Sequence, residues 1–188
     1  MLGTLPLPEA CEEVVADLDE VEARLAYSSD VWRWIVDCVT TVDELDAVTP
    51  IKPFPTHVCP TCARYAGGDA TPSCCPGCRG VMHPLTYLAT IARQWQSMTP
   101  PLLLIPKARR MRLTWLLVAC HVWLALQRPH ANVFFVSSKE AKSGELIERA
   151  QGILTRLPAL GGGGQRLRPL SDPPSIRLEN GSLLLGVA

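Results

Sequence analysis

The chain has 188 residues, and 47% of them are apolar, so it has room for one ordinary domain and is not disordered throughout. Its 18 basic and 18 acidic residues cancel to a formal net charge of zero. Bulk electrostatics therefore give no reason to expect nucleic-acid binding, and any DNA contact would need a local patch, for which the basic run 107–112 is the strong candidate.

The N-terminal part of the sequence predicts two helices. An amphipathic pattern over 9–26, which ends in Val21 and Leu25, predicts the first helix. Asp30 follows two serines and offers an N-cap for a second helix over about 31–39. The many carboxylates of this part are expected to form a solvated face rather than a catalytic cluster.

The remainder of the sequence predicts an α/β fold. The proline-rich segment 49–55 must be extended, because each proline disfavours helix in the residue before it. The predicted elements that follow are a helix (85–96), a buried strand (102–105), a loop (106–112), a helix (113–126), a strand (132–137), a helix (140–157) and a hairpin around Asn180-Gly181. This order predicts a parallel sheet with right-handed crossovers.

Eight cysteines are present, and four of them form two Cys-x-x-Cys pairs, Cys59 with Cys62 and Cys75 with Cys78. The N-terminus lacks the basic start and apolar run of a secretory signal, so metal binding is favoured over disulfides. Two such pairs, twelve residues apart, predict a tetrahedral four-cysteine Zn²⁺ site. Cys74 could replace Cys75 as a ligand, and a redox dithiol is the competing interpretation.

Several neighbours of these pairs have expected structural roles. His57 and His83 flank the predicted zinc site and are expected to be bystanders. Gly77 and Gly80 suit a tight turn at the second pair. The cysteines outside the cluster, namely Cys11, Cys38 and Cys120, are expected to pack as small apolar residues.

A second motif lies in the run LLLIPKARRMRLTW at 102–115. Thr114 occupies the hydroxyl position of a phosphate-binding loop, but Leu113 stands at the lysine position, and Arg112 and Lys107 stand at the glycine positions. The standard motif is therefore absent, although an apolar run precedes the loop and a predicted helix follows it. On spacing alone, an exposed basic loop before a core helix is the simpler alternative.

Three segments together resemble the N-terminal ATPase region of phage terminase large subunits. They are WRWIVDCVTTVDELDAVTPIKPFP (32–55), YLATIARQW (87–95) and the run from LLLIPKARRMRLTW to ILTRLP (102–158). Members of that family have a deviant Walker A loop, K-[SA]-R-x-M-x-x-[ST]-W. The matching residues here are Lys107, Ala108, Arg109, Met111, Thr114 and Trp115.

The resemblance implies a P-loop NTPase-like fold that binds ATP and Mg²⁺. Lys107 would neutralise the β- and γ-phosphates, Thr114 would hold Mg²⁺, and Arg109 and Arg110 would contact phosphates. The remaining loop positions, Ala108, Met111, Arg112 and Leu113, would complete the nucleotide-binding segment. Phe54 and its neighbours would border the adenine, with Tyr87 or Gln94 as further candidates.

The resemblance also implies a domain plan. It comprises an N-terminal helical segment (1–48), an adenine-side region (49–101) with a zinc-knuckle insertion (56–84), and the first half of a P-loop ATPase core (102–188). The acidic residues that complete ATP hydrolysis and the family's nuclease domain have no counterpart in the sequence. The chain is therefore expected to be a fragment or truncated product, and to be inactive alone.

The partners implied are double-stranded DNA, a portal protein and a small terminase subunit, in a homo-oligomeric ring in the host cytoplasm. No membrane association is expected, because the apolar run Leu113–Leu126 falls short of the roughly 20 residues that a span needs. The zinc insertion is expected to stabilise a long loop rather than to bind DNA, since it contains few basic residues. The alternative function is a zinc-ribbon adaptor that binds DNA or protein without ATPase activity.

Overall fold

In a computed structural model of the chain, residues 20–42, 49–68, 73–97, 103–106, 112–164 and 167–188 are described. The helices are α1 (20–29), α2 (Val31–Cys38), α3 (Thr86–Ser97), α4 (Leu113–Gln127) and α5 (Glu140–Arg156), with a short 3₁₀ turn at Ala159–Gly161. The strands are β1 (Thr40–Val42), β2 (Ile51–Pro53), β3 (Pro55–Val58), β4 (Tyr65–Gly67), β5 (His83–Pro84), β6 (Asn132–Val136), β7 (Arg168–Ser171), β8 (Pro174–Arg177) and β9 (Leu183–Val187).

The predicted helices agree closely with those observed. The Asp30 carboxylate accepts hydrogen bonds from the backbone N–H groups of Trp32 (2.9 Å) and Arg33 (3.1 Å), and it caps α2 as expected. The predicted helix 9–26 is helical over its described residues and continues to 29, whereas 9–19 lie outside the described residues. Val21 and Leu25 on that helix are exposed, so this end of the amphipathic face is not packed against the described residues.

A four-stranded sheet with the order β6-β9-β8-β7 forms the C-terminal half. The predicted hairpin is confirmed, because β8 and β9 pair antiparallel around Gly181, whose φ of 83° is the left-handed conformation that the turn requires. The predicted parallel sheet is found in part. Among the described strands of this sheet, β6 and β9, which are separated in the chain by α5, β7 and β8, pair in parallel, whereas the tight connections between β7 and β8 and between β8 and β9 force antiparallel pairing.

Helices α4 and α5 make up most of the core beside this sheet. As predicted, α4 is a core helix, with apolar side chains buried on nearly every side. Gly186 of β9 lies so close to α5 that a Cβ there would come within 3.2 Å of the Ser143 carbonyl. The opposite face of the sheet is apolar and open among the described residues, with Phe134 57% and Val136 74% exposed.

The predicted strand 102–105 is wrong for its described residues. Residues 103–105 belong to no strand, and Leu104 is 79% exposed, while Leu102 lies outside the described residues. Prolines surround this segment at 100, 101 and 106, and they remove the backbone donors that a sheet ladder needs. The first strand of a P-loop fold is therefore not formed within 103–105.

No helix in the described ranges combines the length and the apolar character needed to cross a membrane.

Candidate functional site

Two turns of the same backbone design hold the paired cysteines. In the first, the N–H of Cys59 donates to the Arg64 carbonyl (2.8 Å), and the N–H of Ala63 donates to the Cys59 carbonyl (2.8 Å). In the second, Cys75 donates to Gly80 (2.8 Å), and the residue at 79 donates back to the Cys75 carbonyl (2.9 Å). Each turn therefore folds its own two thiols toward one point, as the Cys-x-x-Cys spacing predicts.

The left-handed residue of each turn is not a glycine. Ala63 (φ 57°) and Arg79 (φ 58°) occupy that conformation, one residue after the second cysteine of each pair. Gly80 has a different role, because a Cβ there would lie 3.4 Å from the sulfurs of both Cys59 and Cys78. The absence of a side chain at Gly80 lets the backbone approach the cysteine cluster closely.

The four sulfurs form a single cluster, and all of them lie within 4.8 Å of one another. Individual Sγ–Sγ distances are 3.4 Å for Cys59–Cys78, 3.5 Å for Cys62–Cys75 and 3.6 Å for Cys62–Cys78. Four thiolates at a Zn–S distance of about 2.3 Å in a tetrahedron would be about 3.8 Å apart. The cluster therefore has the chemistry and nearly the spacing of a structural zinc site.

Backbone amides beside the cluster favour the thiolate form of Cys59 and Cys75, whereas, despite the Gly80 amide, the neighbouring sulfurs of Cys59 and Cys62 raise the pKa of Cys78 to about 12. Hydrogen bonding from the backbone amide of Cys62, and then from that of Thr61, lowers the pKa of Cys59 to about 6. The amides of Cys78 and Gly77 lower the pKa of Cys75 in the same way. These amides form the outer shell that a thiolate–metal site needs, because they satisfy sulfur lone pairs that the metal does not use.

The structure distinguishes the neighbouring candidates. Cys74 is exposed and stands outside the cluster, where its backbone forms a bridge to Val81, so Cys75 is the fourth cluster member. His57 and His83 lie on β3 and β5 and are not members of the cluster either, as expected. All described cysteines are free thiols, so neither pair forms a disulfide in this structure.

Two further cysteines are buried in the main core, as predicted. Burial raises the pKa of Cys38 to about 11 and that of Cys120 to about 12, which keeps both as neutral thiols. Cys11 lies outside the described residues.

The cluster has little apolar support of its own. Cys59 and Cys75 are buried with Met82, and Ala66 packs against them, in a small core separate from the main one. Residues 55–84 without the undescribed 69–72, which we call the zinc module after its predicted metal, pack on the main core through Val58 and Tyr65. A metal ion would therefore supply most of the internal cohesion of this module.

The candidate phosphate loop is described only in part. Lys107, Ala108, Arg109, Arg110 and Met111 lie outside the described residues, so their nucleotide-binding roles stay predictions.

Arg112, Leu113 and Thr114 lie at the start of α4, as expected. Arg112 is left-handed (φ 55°), stands at the N-cap position without a side-chain cap, and carries its guanidinium 4.6 Å from the centre of the Tyr65 ring. Leu113 is buried and Thr114 is partly buried. The Arg149 guanidinium carbon lies 5.4 Å from the centroid of the Trp115 ring.

Phe54 is fully buried, and its ring packs edge-on against Trp32 at a centroid distance of 6.1 Å. Its predicted contact with adenine stays a prediction. Tyr87 lies at the start of α3, where burial and then the neighbouring Tyr65 raise its pKa. Tyr65, which the sequence did not single out, therefore lies near both Tyr87 and Arg112. The sequence shows that Tyr65 lies three residues after Cys62, but it contains no signal for the contacts of Tyr65 with Tyr87 and Arg112.

Comparison with known protein families finds no match, and comparison with curated proteins finds none either.

Proposed function

We propose that this chain is the ATP-binding part of a viral DNA-packaging motor, a terminase large subunit, and that its four-cysteine cluster holds a structural Zn²⁺. The sulfur geometry carries the zinc half of the proposal. The resemblance of the sequence over 32–158, with a core helix starting where the basic loop ends, supports the motor half. The partners proposed with it are double-stranded DNA, a portal protein and a small terminase subunit in the host cytoplasm.

Zinc is the metal that best suits this donor set. Four thiolates fill all four coordination positions of Zn²⁺ and leave none for water or substrate. Such a closed site is typical of zinc that stabilises a fold rather than zinc that takes part in catalysis. The ligands would be Cys59, Cys62, Cys75 and Cys78, and the metal would fold the two turns onto one another. Two of the four cysteines, Cys59 and Cys75, are buried and the other two are exposed, so the ion would lie near the surface of the zinc module.

Metal content tests this half. Zinc-supplemented protein, purified under reducing conditions, should carry one Zn²⁺ per chain, and Co²⁺ replacement should give the absorption bands of a tetrahedral thiolate site. Cys75→Ser should lose this metal, whereas the matched variant Cys74→Ser should keep it, because Cys74 stands outside the cluster. Equal zinc affinity in both variants would overturn the assignment.

The motor half depends on Lys107 and Thr114. In the proposed site, Lys107 would neutralise the terminal phosphates, and the Thr114 hydroxyl, in the first turn of α4, would hold Mg²⁺. The bound Mg²⁺ would offset phosphate charge. Hydrolysis to drive DNA into a prohead would also need a second metal-binding aspartate and a water-activating glutamate, so binding of nucleotide is the activity proposed for this chain.

Nucleotide affinity tests the motor half. Calorimetry should detect MgATP binding, and Lys107→Ala should weaken it by about 10- to 100-fold, which corresponds to loss of one charge-assisted contact. The matched variant Lys142→Ala removes an exposed lysine that pairs with Glu145 (2.6 Å) and should leave the affinity unchanged. An unchanged affinity in Lys107→Ala would remove the main support for the motor.

The second candidate is a zinc-ribbon adaptor that contacts DNA or protein. The exposed arginines of the zinc module, Arg64 and Arg79, are the observation that favours it. DNA binding that disappears on chelation while the α4–α5 core stays folded, together with no MgATP binding, would select the adaptor. DNA binding that is insensitive to chelation would exclude it.

A further inference from the structure

A single aromatic–cation contact joins the zinc module to the start of α4. The Arg112 guanidinium carbon lies 4.6 Å from the centroid of the Tyr65 ring, a distance at which a cation is attracted to the ring face. Tyr65 opens β4 in the zinc module, and Arg112 is the residue from which α4 begins.

Tyr65 is tied to the cysteine cluster through one hairpin. It pairs with Val58 in the β3–β4 register, and the turn between these two residues contains Cys59 and Cys62. The next hydrogen bond inward joins Cys59 to Arg64. A metal that fixes the two thiols therefore also fixes the backbone pair on which the Tyr65 ring stands.

Arg112 adopts a conformation that needs outside support. Its φ of 55° is unfavourable for a residue with a side chain, and no side-chain hydrogen bond caps the helix there. Its carbonyl nonetheless accepts the first helical hydrogen bond of α4, from the Leu116 N–H at 3.2 Å. Whatever holds the Arg112 side chain therefore influences the first turn of the helix.

We infer that Tyr65 is a positioning residue that transmits metal occupancy of the cysteine cluster to Arg112, and through Arg112 to the first turn of α4, where the proposed nucleotide site includes Thr114. The inference rests on the proposed function for its nucleotide half. When the metal leaves, the turn between Val58 and Tyr65 loses the link between its two thiols, and the hairpin is held only by its strand pairing and by the packing of Val58 and Tyr65 on the main core. The Tyr65 ring then shifts relative to Arg112, and the start of α4 loosens.

Hydrogen exchange of the full chain measures the coupling directly. The Leu116 amide, which bonds to Arg112, reports on the first turn, and the Arg128 amide, bonded to the Leu124 carbonyl at 3.0 Å, is the reference at the far end of α4. Zinc removal from the wild type should speed exchange at Leu116 relative to Arg128. MgATP affinity, measured in parallel by calorimetry, should fall with it.

The variants separate Tyr65 from a general effect. Tyr65→Ala, with Zn²⁺ still bound, should speed exchange at Leu116 and weaken MgATP binding by about two- to five-fold, the factor expected for one exposed cation–π contact. In Tyr65→Ala, chelation should add no further change at Leu116. Tyr65→Phe keeps the ring and should behave as the wild type does.

A matched control removes a similar contact elsewhere on α4. Arg149 lies on α5, 5.4 Å from the Trp115 ring, so Arg149→Ala removes a cation–ring contact of α4 other than the one with Tyr65 and should keep the zinc response at Leu116. The inference is overturned if zinc-loaded Tyr65→Ala exchanges at Leu116 as the wild type does, or if Arg149→Ala also abolishes the response.

The two proposals fail in different ways. A zinc-loaded wild type that does not bind MgATP overturns the motor and the nucleotide half of this inference. The exchange at Leu116 still decides whether Tyr65 couples the metal to α4. If MgATP binds but its affinity is the same in Tyr65→Ala, the positioning role is overturned and the motor stands.

Discussion

Removal of the metal should unfold the zinc module and leave the rest of the chain folded. Met82 is the largest apolar side chain of the module core, and burial of one such side chain contributes about 1.5–3 kcal/mol. A structural Zn²⁺ site contributes about 10–16 kcal/mol at neutral pH. The contribution of the metal is several times larger, so the two cysteine turns, 59–64 and 75–80, should lose their order once a chelator has taken the ion.

Hydrogen exchange followed by mass spectrometry or NMR would measure this. The amides of Cys59, Ala63, Cys75 and Arg79 close the two cysteine turns, and they should lose protection on chelation. The expected loss is at least about a thousand-fold, because about 4 kcal/mol, less than half of the metal's contribution, already corresponds to that factor. The Leu183 amide, bonded to the Ala131 carbonyl at 2.8 Å, should stay protected as the reference.

Two results would refute this reasoning. Unchanged protection of the turn amides in metal-free protein would mean that the module holds itself together. Equal loss of protection at Leu183 would mean that the module and the sheet unfold as one unit. Cys75→Ser should reproduce the effect of chelation without a chelator, and Cys74→Ser should not, which separates loss of the metal from side effects of the reagent.

Three further predictions concern the stability of the folded core. Phe54→Ala should lower the free energy of unfolding in urea by about 3–5 kcal/mol, because the ring is fully buried; a loss below about 1 kcal/mol would argue against a core role. Gly186→Ala should lower the free energy of unfolding by about 1–3 kcal/mol, since the added Cβ would crowd the Ser143 carbonyl. Gly144→Ala, with open space around it in α5, should raise the free energy of unfolding by about 0.5–1 kcal/mol. A change of the same sign in both variants would contradict the observed packing. Burial lowers the pKa of His121, so the unfolded chain binds its proton first and stability should fall as the pH drops below about 6.5. Denaturant titrations from pH 5.5 to 7.5 should show a smaller fall in His121→Leu, and an identical fall would refute the assignment.

Local sequence signals predicted the elements that depend on neighbouring residues. The Asp30 cap, the core helix α4 and the turn at Gly181 each follow from a side chain or a backbone preference that acts within a few residues. The pairing of thiols within the cluster was predictable for the same reason, since a Cys-x-x-Cys turn brings its own two thiols together.

Prediction failed where distant partners decide the outcome. The apolar run 102–105 has the composition of a buried strand, yet 103–105 have no strand beside them, and prolines at both ends remove donors. In contrast, β7 has no counterpart among the predicted elements. It contains Pro169 and lies at the edge of the sheet, where a strand tolerates proline. Whether two strands pair parallel or antiparallel likewise depended on which strands become neighbours in the sheet, and the order of elements along the chain does not specify this.

By itself, the sequence determined three members of the cysteine cluster, Cys59, Cys62 and Cys78, together with the helices and the C-terminal hairpin, because spacing and backbone preference act locally. Only the tertiary structure decided that Cys75 rather than Cys74 joins the cluster, since the choice depends on which thiol the second turn directs toward Cys62. It alone placed Tyr65 against Arg112, residues 47 positions apart, because such a contact arises from packing of the zinc module on α4 and leaves no periodic or spacing signal in the chain.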